Sequence, residues 1–259
     1  MDSFNPFDLD YVEPEQVDVE NYIPTSAPTT QPHPGPKFHN DIQQGTEEWH
    51  ACRLGLMTAS ELKMVITPSL KISDNKDTRT HLYELLAQRV NKYVEPHFQG
   101  PDMERGNFDE EHARAKYSEM YAPVTECGFI TNDRWGFTLG YSPDGLVGND
   151  GLIECKSRIQ KWQMKTLIEN VATDTIPDEY VIQVQAAMMI SERKWCDFIS
   201  YSGGMVMAVV RVEPDPKIQE AIITAAAAFE ARLAEVREIY DNLIASDARL
   251  IPTERLLQL

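Results

Sequence analysis

Between Gly140 and Lys156 the chain reads Gly-Tyr-Ser-Pro-Asp-Gly-Leu-Val-Gly-Asn-Asp-Gly-Leu-Ile-Glu-Cys-Lys. Few local structures accommodate this stretch. Glycines at 145, 148 and 151 exclude a stable helix, and Ile153 and Cys155 mark a strand entered from a Gly-rich turn. Side chains alternate across a strand, so Glu154 and Lys156 share one face while Cys155 takes the other. Asp144, ten residues before Glu154, reaches the same point from the preceding strand. Two carboxylates and an ammonium group then converge. Oxygen ligands of this kind suit Mg²⁺, usually held by one or two carboxylates plus substrate phosphate, and the arrangement points to phosphodiester hydrolysis. An ordinary hairpin with an Asp-Gly turn and a surface Glu–Lys pair has the same spacing, so other residues must decide.

The first forty residues differ from the rest. Met1 to Asn40 contains seven prolines, seven acidic residues and one Lys, without sustained apolar periodicity. This composition predicts a disordered Pro-rich acidic arm over 1–40, with a short interaction segment around Phe4–Tyr11. It has neither the basic nor the apolar region of a signal peptide, and no apolar run approaches membrane-spanning length. Residues 41–259 are expected to form a single domain with one sizeable core.

The net charge is −17, of which the arm supplies −6 and the remainder −11. A strongly acidic exterior opposes non-specific DNA binding, so a nucleic-acid substrate requires a local positive track. Arg158, Lys161 and Lys165, or Arg53 with Lys63, are candidates. The cysteines at 52, 127, 155 and 196 lack metal-ligand spacing and are read as buried thiols of a cytoplasmic protein. Dispersed histidines are read as structural.

Along the domain, Thr46 is expected to cap a short helix that Gly55 ends, and Thr58 or Ser60 to cap a second. Helices are predicted over 80–93, 103–121, 162–170 and 180–190, with a long Ala-rich C-terminal helix over 218–243. Strands are expected in 124–139, joined by Thr131–Arg134, and in 151–156, 195–201 and 206–212. The pattern is α/β, with a central mixed or mostly antiparallel sheet flanked by helices.

Three further segments add chemistry. Trp49–Ser60 sets Arg53 beside two hydroxyls, Thr58 and Ser60, around a helix start. Gly106–Arg114 places Glu110 within a charged helix. Tyr180–Ile190 buries Gln183 in an otherwise apolar helix, where its amide must find a partner. Each segment has an ordinary reading: a helix cap with a surface Arg, a solvated face, an amide bonded to a backbone carbonyl.

In this order, the segments resemble the phage-type recombination exonucleases, the family of lambda exonuclease and the YqaJ-like viral recombinases. The resemblance rests on Arg53-Leu-Gly with Thr58-Ala-Ser60, Gly106 with Glu110 and Ala113-Arg114, Ser142-Pro-Asp144-Gly-Leu, Leu152-Ile-Glu154-Cys-Lys156, and Gln183-Val-Gln185, and spans roughly 47–201. It implies a restriction-endonuclease-like core of the PD-(D/E)XK kind. It further implies that Asp144, Glu154, the Cys155 carbonyl and Glu110 hold Mg²⁺, with Mn²⁺ able to substitute. By the same resemblance Lys156 would orient or activate water and stabilise phosphoryl charge, with Gln183 completing the site. Arg53, Ser60 and Thr58 would grip a 5′-phosphate; Tyr180, Arg158 and Lys161 are further candidates. The implied activity is 5′→3′ digestion of one strand of linear double-stranded DNA, leaving 3′ single strands for annealing, in a phage- or prophage-type protein. A single-strand annealing protein and a homotrimeric ring are the implied partners. The chain departs from the lambda pattern at Ser157-Arg158, in place of Cys-Pro, and in its arm. The competing readings are an endonuclease of the same superfamily, a non-catalytic DNA-binding scaffold, and a metabolic α/β enzyme. The last lacks a Gly-rich nucleotide loop or catalytic triad elbow.

Overall fold

The structure, a computed structural model, describes residues 35–95 and 100–255. Two mixed sheets are joined by two three-residue links, β3 to β4 and β5 to β6. The first has strand order β1-β4-β5-β2, from Lys37–His39 (β1), Met57–Thr58 (β2), Phe129–Asn132 (β4) and Leu139–Tyr141 (β5). The second has order β3-β6-β7-β8-β9, from Val124–Thr125 (β3), Gly145–Val147 (β6), Gly151–Ser157 (β7), Trp195–Tyr201 (β8) and Ala208–Val212 (β9). β7 and β8 are parallel, as are β2 and β5; every other pairing is antiparallel. Ser142-Pro143-Asp144 is the second of these, leaving β5 in one sheet and entering β6 in the other.

The three glycines of this region serve different needs. Gly148 has φ +53° and makes the β6–β7 turn, a conformation that costs glycine little. Gly145 and Gly151 lie in paired strands at close approaches. A Cβ would come within 2.2 Å of Val124 Cγ1 at the first and 2.1 Å of Trp195 Cζ2 at the second.

Helices cover the sheets: Glu47–Arg53 (α1), Lys76–Asn91 (α2), Pro101–Met120 (α3), Gln160–Lys165 (α4), Asp178–Ser191 (α5) and Pro216–Ile244 (α6). Thr46 caps α1 as expected, Asn75 caps α2, and Asp215 caps α6 by accepting the Lys217 and Ile218 amides. α5 is apolar on nearly every side and is buried from Ile182 to Ser191 with Gln183 as the exception. It packs against β4, β5, β8 and α6. α6 buries Ile222, Ala225, Ala226, Phe229 and Leu233, and Glu230 receives a bidentate pair from Arg89 of α2 at 2.6 and 2.7 Å.

Several expectations need correction. Residues 1–34 of the expected arm lie outside the described residues, but Lys37–His39 pairs with β4, so folded structure begins before residue 41. Thr58 caps no second helix: it is a strand residue paired with Gly140, followed by a 3₁₀ turn at Leu62–Met64. Its amide and hydroxyl both go to Glu61 Oε2, at 2.8 and 2.6 Å. The Thr131–Arg134 turn begins later, because Thr131 and Asn132 pair with Gly140 and Leu139, and Asn132 Oδ1 then accepts the Arg134 amide. The helix over 162–170 starts at Gln160 and widens into a π-helical turn at Thr166–Asn170. The last strand begins at Ala208, after a turn at Gly203–Gly204.

Candidate active site

The site lies where β7 outlasts its neighbour. β6 pairs with β7 only as far as Gly145 opposite Ile153, whereas β8 follows β7 to Ser157. From Glu154 onward one edge of β7 is therefore free, and the sheet-linking segment supplies a side chain there. Asp144 Oδ2 accepts the Cys155 amide at 2.6 Å, taking the place of a strand carbonyl. The N–H and C=O of one strand residue face the same edge, so the Cys155 carbonyl is on the Asp144 side.

Glu154 is 1% exposed, and donors surround it. Its Oε2 accepts the Tyr141 hydroxyl at 2.9 Å; its Oε1 accepts Lys156 Nζ at 2.7 Å and the Gln183 amide from α5. The alternation of β7 thus places Glu154 and Lys156 together as anticipated, and Gln183 finds its partner in a carboxylate.

Glu110 enters from α3. Its Oε1 receives Arg114 Nη1 at 3.2 Å, and the same nitrogen donates to the Asp144 backbone carbonyl at 2.7 Å. Further bonds hold α3 against the sheet, the shortest being the Tyr117 hydroxyl to Asp197 Oδ2 and the Ser157 hydroxyl to Asp109 Oδ2, both 2.6 Å.

The electrostatics show surplus negative charge. Burial, then Glu154, then Glu110 push the Asp144 carboxyl well above the usual carboxylate range. Burial likewise raises Glu110, with Arg114 opposing and Glu154 adding to the shift. Around Lys156 burial disfavours the ammonium ion, but Glu154 and Asp144 outweigh it and hold its pKa above that of an ordinary lysine. Burial and then Glu154 keep the Tyr141 phenol protonated.

Among the described residues, no three His, Cys, Asp or Glu side chains form a ready-made metal cage. The donors are instead hard oxygens: Asp144, Glu154, the Cys155 carbonyl and, through Arg114, Glu110. Such a set fits Mg²⁺, which keeps several waters rather than demanding an all-protein shell. An unoffset negative charge also fits a divalent cation. Glu154 Oε1, however, already serves Lys156 and Gln183, so a metal ion would share or displace those bonds.

Arg53 ends α1 and reaches the sheet-linking segment. Its Nη1 donates to Ser142 Oγ at 2.9 Å, Trp49 Nε1 donates to the same oxygen at 3.0 Å, and the guanidinium lies 4.4 Å from the Trp49 ring centroid. Burial lowers the Arg53 pKa, partly offset by Glu61. Ser60 is half-buried with its hydroxyl 3.3 Å from that of Thr58; Thr58 is buried and committed to Glu61. Tyr180 joins the central group: Lys156 Nζ lies 5.4 Å from its ring centroid, and its hydroxyl accepts Arg158 Nη1 at 2.6 Å. Lys161 does not join it; exposed on α4, it lies over Trp162.

Tyr141, Ser142 and Trp49 were missed as site residues, and Arg114 was seen only within a motif. One signal was available for Tyr141, since a phenol in an otherwise apolar strand must find a hydrogen-bond partner. Three cysteines, 127, 155 and 196, are buried and Cys52 is half-buried; all are free thiols.

Comparisons with known proteins give a family match and a structural match. The YqaJ-like viral recombinase domain matches residues 48–194. The chain is 34% identical to an alkaline exonuclease from Laribacter hongkongensis, with a TM-score of 0.68 over 77% of this chain and 98% of the other. The same values hold for that exonuclease in complex with dAMP. No match is found among curated proteins.

Proposed function

The chain belongs to the YqaJ-like viral recombinase domain family, and from that premise we propose that it is a Mg²⁺-dependent exonuclease digesting one strand of linear double-stranded DNA from its 5′ end. A nuclease role follows from the family and from the 34% identity to an alkaline exonuclease. The observation that carries the finer reading is the Ser142-Pro143-Asp144 segment: it accepts Arg53 at its first residue and presents a site carboxylate at its third. A terminal phosphate on Arg53 and a scissile phosphate beside Asp144 would then both be tied to one three-residue piece of backbone, a geometry useful to an enzyme that measures from an end.

Asp144, Glu154 and the Cys155 carbonyl would hold Mg²⁺, with Glu110 holding a second ion or the attacking water; Mn²⁺ would substitute. The ion, when bound, neutralises phosphate charge and lowers the pKa of a bound water. The chain's own groups do the remaining work. Lys156, kept an ammonium ion by Glu154, orients water and stabilises charge on the phosphoryl oxygens rather than removing a proton. Gln183 fixes the rotamer of Glu154, and Tyr141 fixes its other oxygen. Arg53, together with Ser60, would bind the 5′-phosphate, while Thr58 supports that corner through Glu61. Tyr180 and Arg158 flank the strand beyond Lys156. The dAMP held by the relative is the kind of mononucleotide such digestion releases. We place the protein in the cytoplasm of a bacterial host, working with a single-strand annealing protein as a homotrimeric ring. No helix among the described residues is long and apolar enough to cross a membrane.

The test is digestion of linear and closed circular duplex DNA, with 5′-phosphate or 5′-hydroxyl ends, in Mg²⁺ and in EDTA. Metal-dependent loss of one strand, faster from phosphorylated ends and confined to linear DNA, is expected. Cleavage of closed circles would reassign the protein as an endonuclease.

A further inference from the structure

α4 begins three residues after β7, and one large aromatic side chain on it lies open to solvent. Trp162 is 44% exposed, although a large indole ordinarily gains most by burial. Two ammonium groups stand over it: Lys161 Nζ is 5.0 Å and Lys165 Nζ 5.8 Å from its ring centroid. Exposed Ile159 precedes it and exposed Met164 follows. Lys165 also lies 3.7 Å from Glu169, an exposed i,i+4 pair that weakens its charge little.

The helix carrying this ring is anchored. Its neighbour Gln163 is fully buried, donates to the Ser200 and Val206 carbonyls at 3.0 and 2.8 Å, and accepts the Ser200 hydroxyl at 2.6 Å. Ser200 is the register partner of Lys156 across β7 and β8. Trp162 is therefore held at a fixed offset from Lys156. Between them Arg158 reaches Tyr180. An exposed indole on an anchored helix, flanked by cations on a chain that is otherwise strongly acidic, has the chemistry of a single-strand binding platform, where aromatic faces stack bases and cations meet the backbone. A protein partner would account for an exposed apolar ring but not for the two ammonium groups placed over it.

We propose that Trp162, between Lys161 and Lys165, stacks a base of single-stranded DNA next to the active site. The inference deepens the nuclease reading, on which it rests for the identity of its ligand.

The experiment uses the full chain in EDTA, so that nothing is cut, and follows the anisotropy of a fluorescent oligothymidylate of about 16 nucleotides. Trp162→Ala should weaken binding roughly ten-fold, Trp162→Phe should keep most of the affinity, and Lys161→Ala with Lys165→Ala should flatten the salt dependence. Light scattering should give the same mass for wild type and Trp162→Ala. Affinity of Trp162→Ala within about two-fold of wild type would overturn the proposal, as would no measurable binding by wild type. A mass that falls in Trp162→Ala would also overturn it, assigning the ring to contact with a second copy. Duplex digestion by wild type is scored separately. Absence of cleavage with Trp162-dependent oligonucleotide binding intact would refute the nuclease reading and leave the stacking site in place.

Discussion

Two buried carboxylates on adjacent strands make an instructive pair. Glu154 on β7 accepts a tyrosine hydroxyl from Tyr141 and a cation from Lys156; Asp197 on β8 accepts a tyrosine hydroxyl from Tyr117 and a cation from Arg211. Their strands are parallel, and Ile153, the neighbour of Glu154, is the register partner of Asp197. The ingredients are alike, yet the surroundings differ. Arg211 meets Asp197 through two bonds of 2.8 Å and stacks 3.8 Å over the Trp195 ring centroid, so one negative charge is closed off by one positive charge. Around Glu154 stand two further carboxylates, Asp144 and Glu110, each pushed upward in pKa by burial and by its acidic neighbours. A buried acid paired with a cation is therefore not in itself a sign of chemistry. Surplus charge that the fold leaves without a partner is the sign, because it waits for something positive.

The sharpest way to break the comparison is to remove the cation from each. Lys156→Ala should lower the rate of duplex digestion by ~10²–10³-fold, the scale of losing one preorganised electrostatic contact to a transition state. Arg211→Ala should leave digestion nearly intact at low temperature but cost about 3 kcal/mol in denaturant unfolding, since it strands a buried carboxylate. If both variants lose stability and neither loses rate selectively, the two sites are equivalent and the catalytic assignment of Lys156 fails.

Asp144→Asn sharpens the point by removing surplus charge. A carboxyl whose pKa is higher in the folded chain than in the unfolded one holds its proton more tightly when folded. The metal-free wild type therefore gains stability from Asp144 as pH falls through the raised value toward the ordinary carboxylate range, and loses that gain as pH rises. In EDTA at pH 8, Asp144→Asn should melt above wild type by about 2–4 °C, corresponding to roughly 1 kcal/mol in a domain of this size. The advantage should shrink as pH is lowered. Saturating Mg²⁺ should raise the melting temperature of wild type and leave that of Asp144→Asn unmoved. A variant less stable than wild type at every pH would show that Asp144 is structural, like Asp197.

How much of this was legible in the sequence depended on distance along the chain. Period-two alternation over Gly151–Lys156 paired Glu154 with Lys156, and a lone amide in an apolar helix marked Gln183. Both signals are local. Tyr141 and Ser142 acquire meaning only through contacts with Glu154 and with Arg53, the second 89 residues away in sequence. Gly145 and Gly151 read as turn residues, whereas Val124 and Trp195 require them, a requirement set by tertiary packing. Of the first sheet only β4 and the start of β5 fell within an expected strand, because β1, β2 and β5 have only two or three residues, too few for alternation to show. Lys161 was placed in a track with Arg158, but α4 begins between them and turns its ammonium group onto Trp162.

Arg53→Ala moves the comparison to the link between the sheets. Loss of a charge-assisted phosphate contact is worth about 1.5–3 kcal/mol, so digestion from 5′-phosphorylated ends should slow by roughly 10–100-fold. Digestion from 5′-hydroxyl ends should slow far less, collapsing the preference between the two substrates. Equal slowing on both ends would mean that Arg53 acts by positioning Ser142 and Asp144 through its 2.9 Å bond, not by binding the end.

The smallest effect is also the most direct contrast, since the same atom is deleted from each buried carboxylate. Tyr117→Phe and Tyr141→Phe each remove one phenol hydroxyl from a buried acid, and each should cost about 1 kcal/mol of stability. Only Tyr141→Phe should also affect the rate. Without that donor Glu154 Oε2 is unpaired, its carboxylate is free to rotate about the Lys156 and Gln183 bonds, and the Mg²⁺ concentration needed for half-maximal digestion should rise several-fold, about the effect expected of a supporting hydrogen bond to a metal ligand. Tyr117→Phe should leave that concentration unchanged, because the Arg211 pair still holds Asp197 and no metal ion depends on it. A shift of equal size in both variants would mean that α3, tethered by Tyr117, transmits its position to Glu110, and that the closed carboxylate on β8 supports the open one on β7.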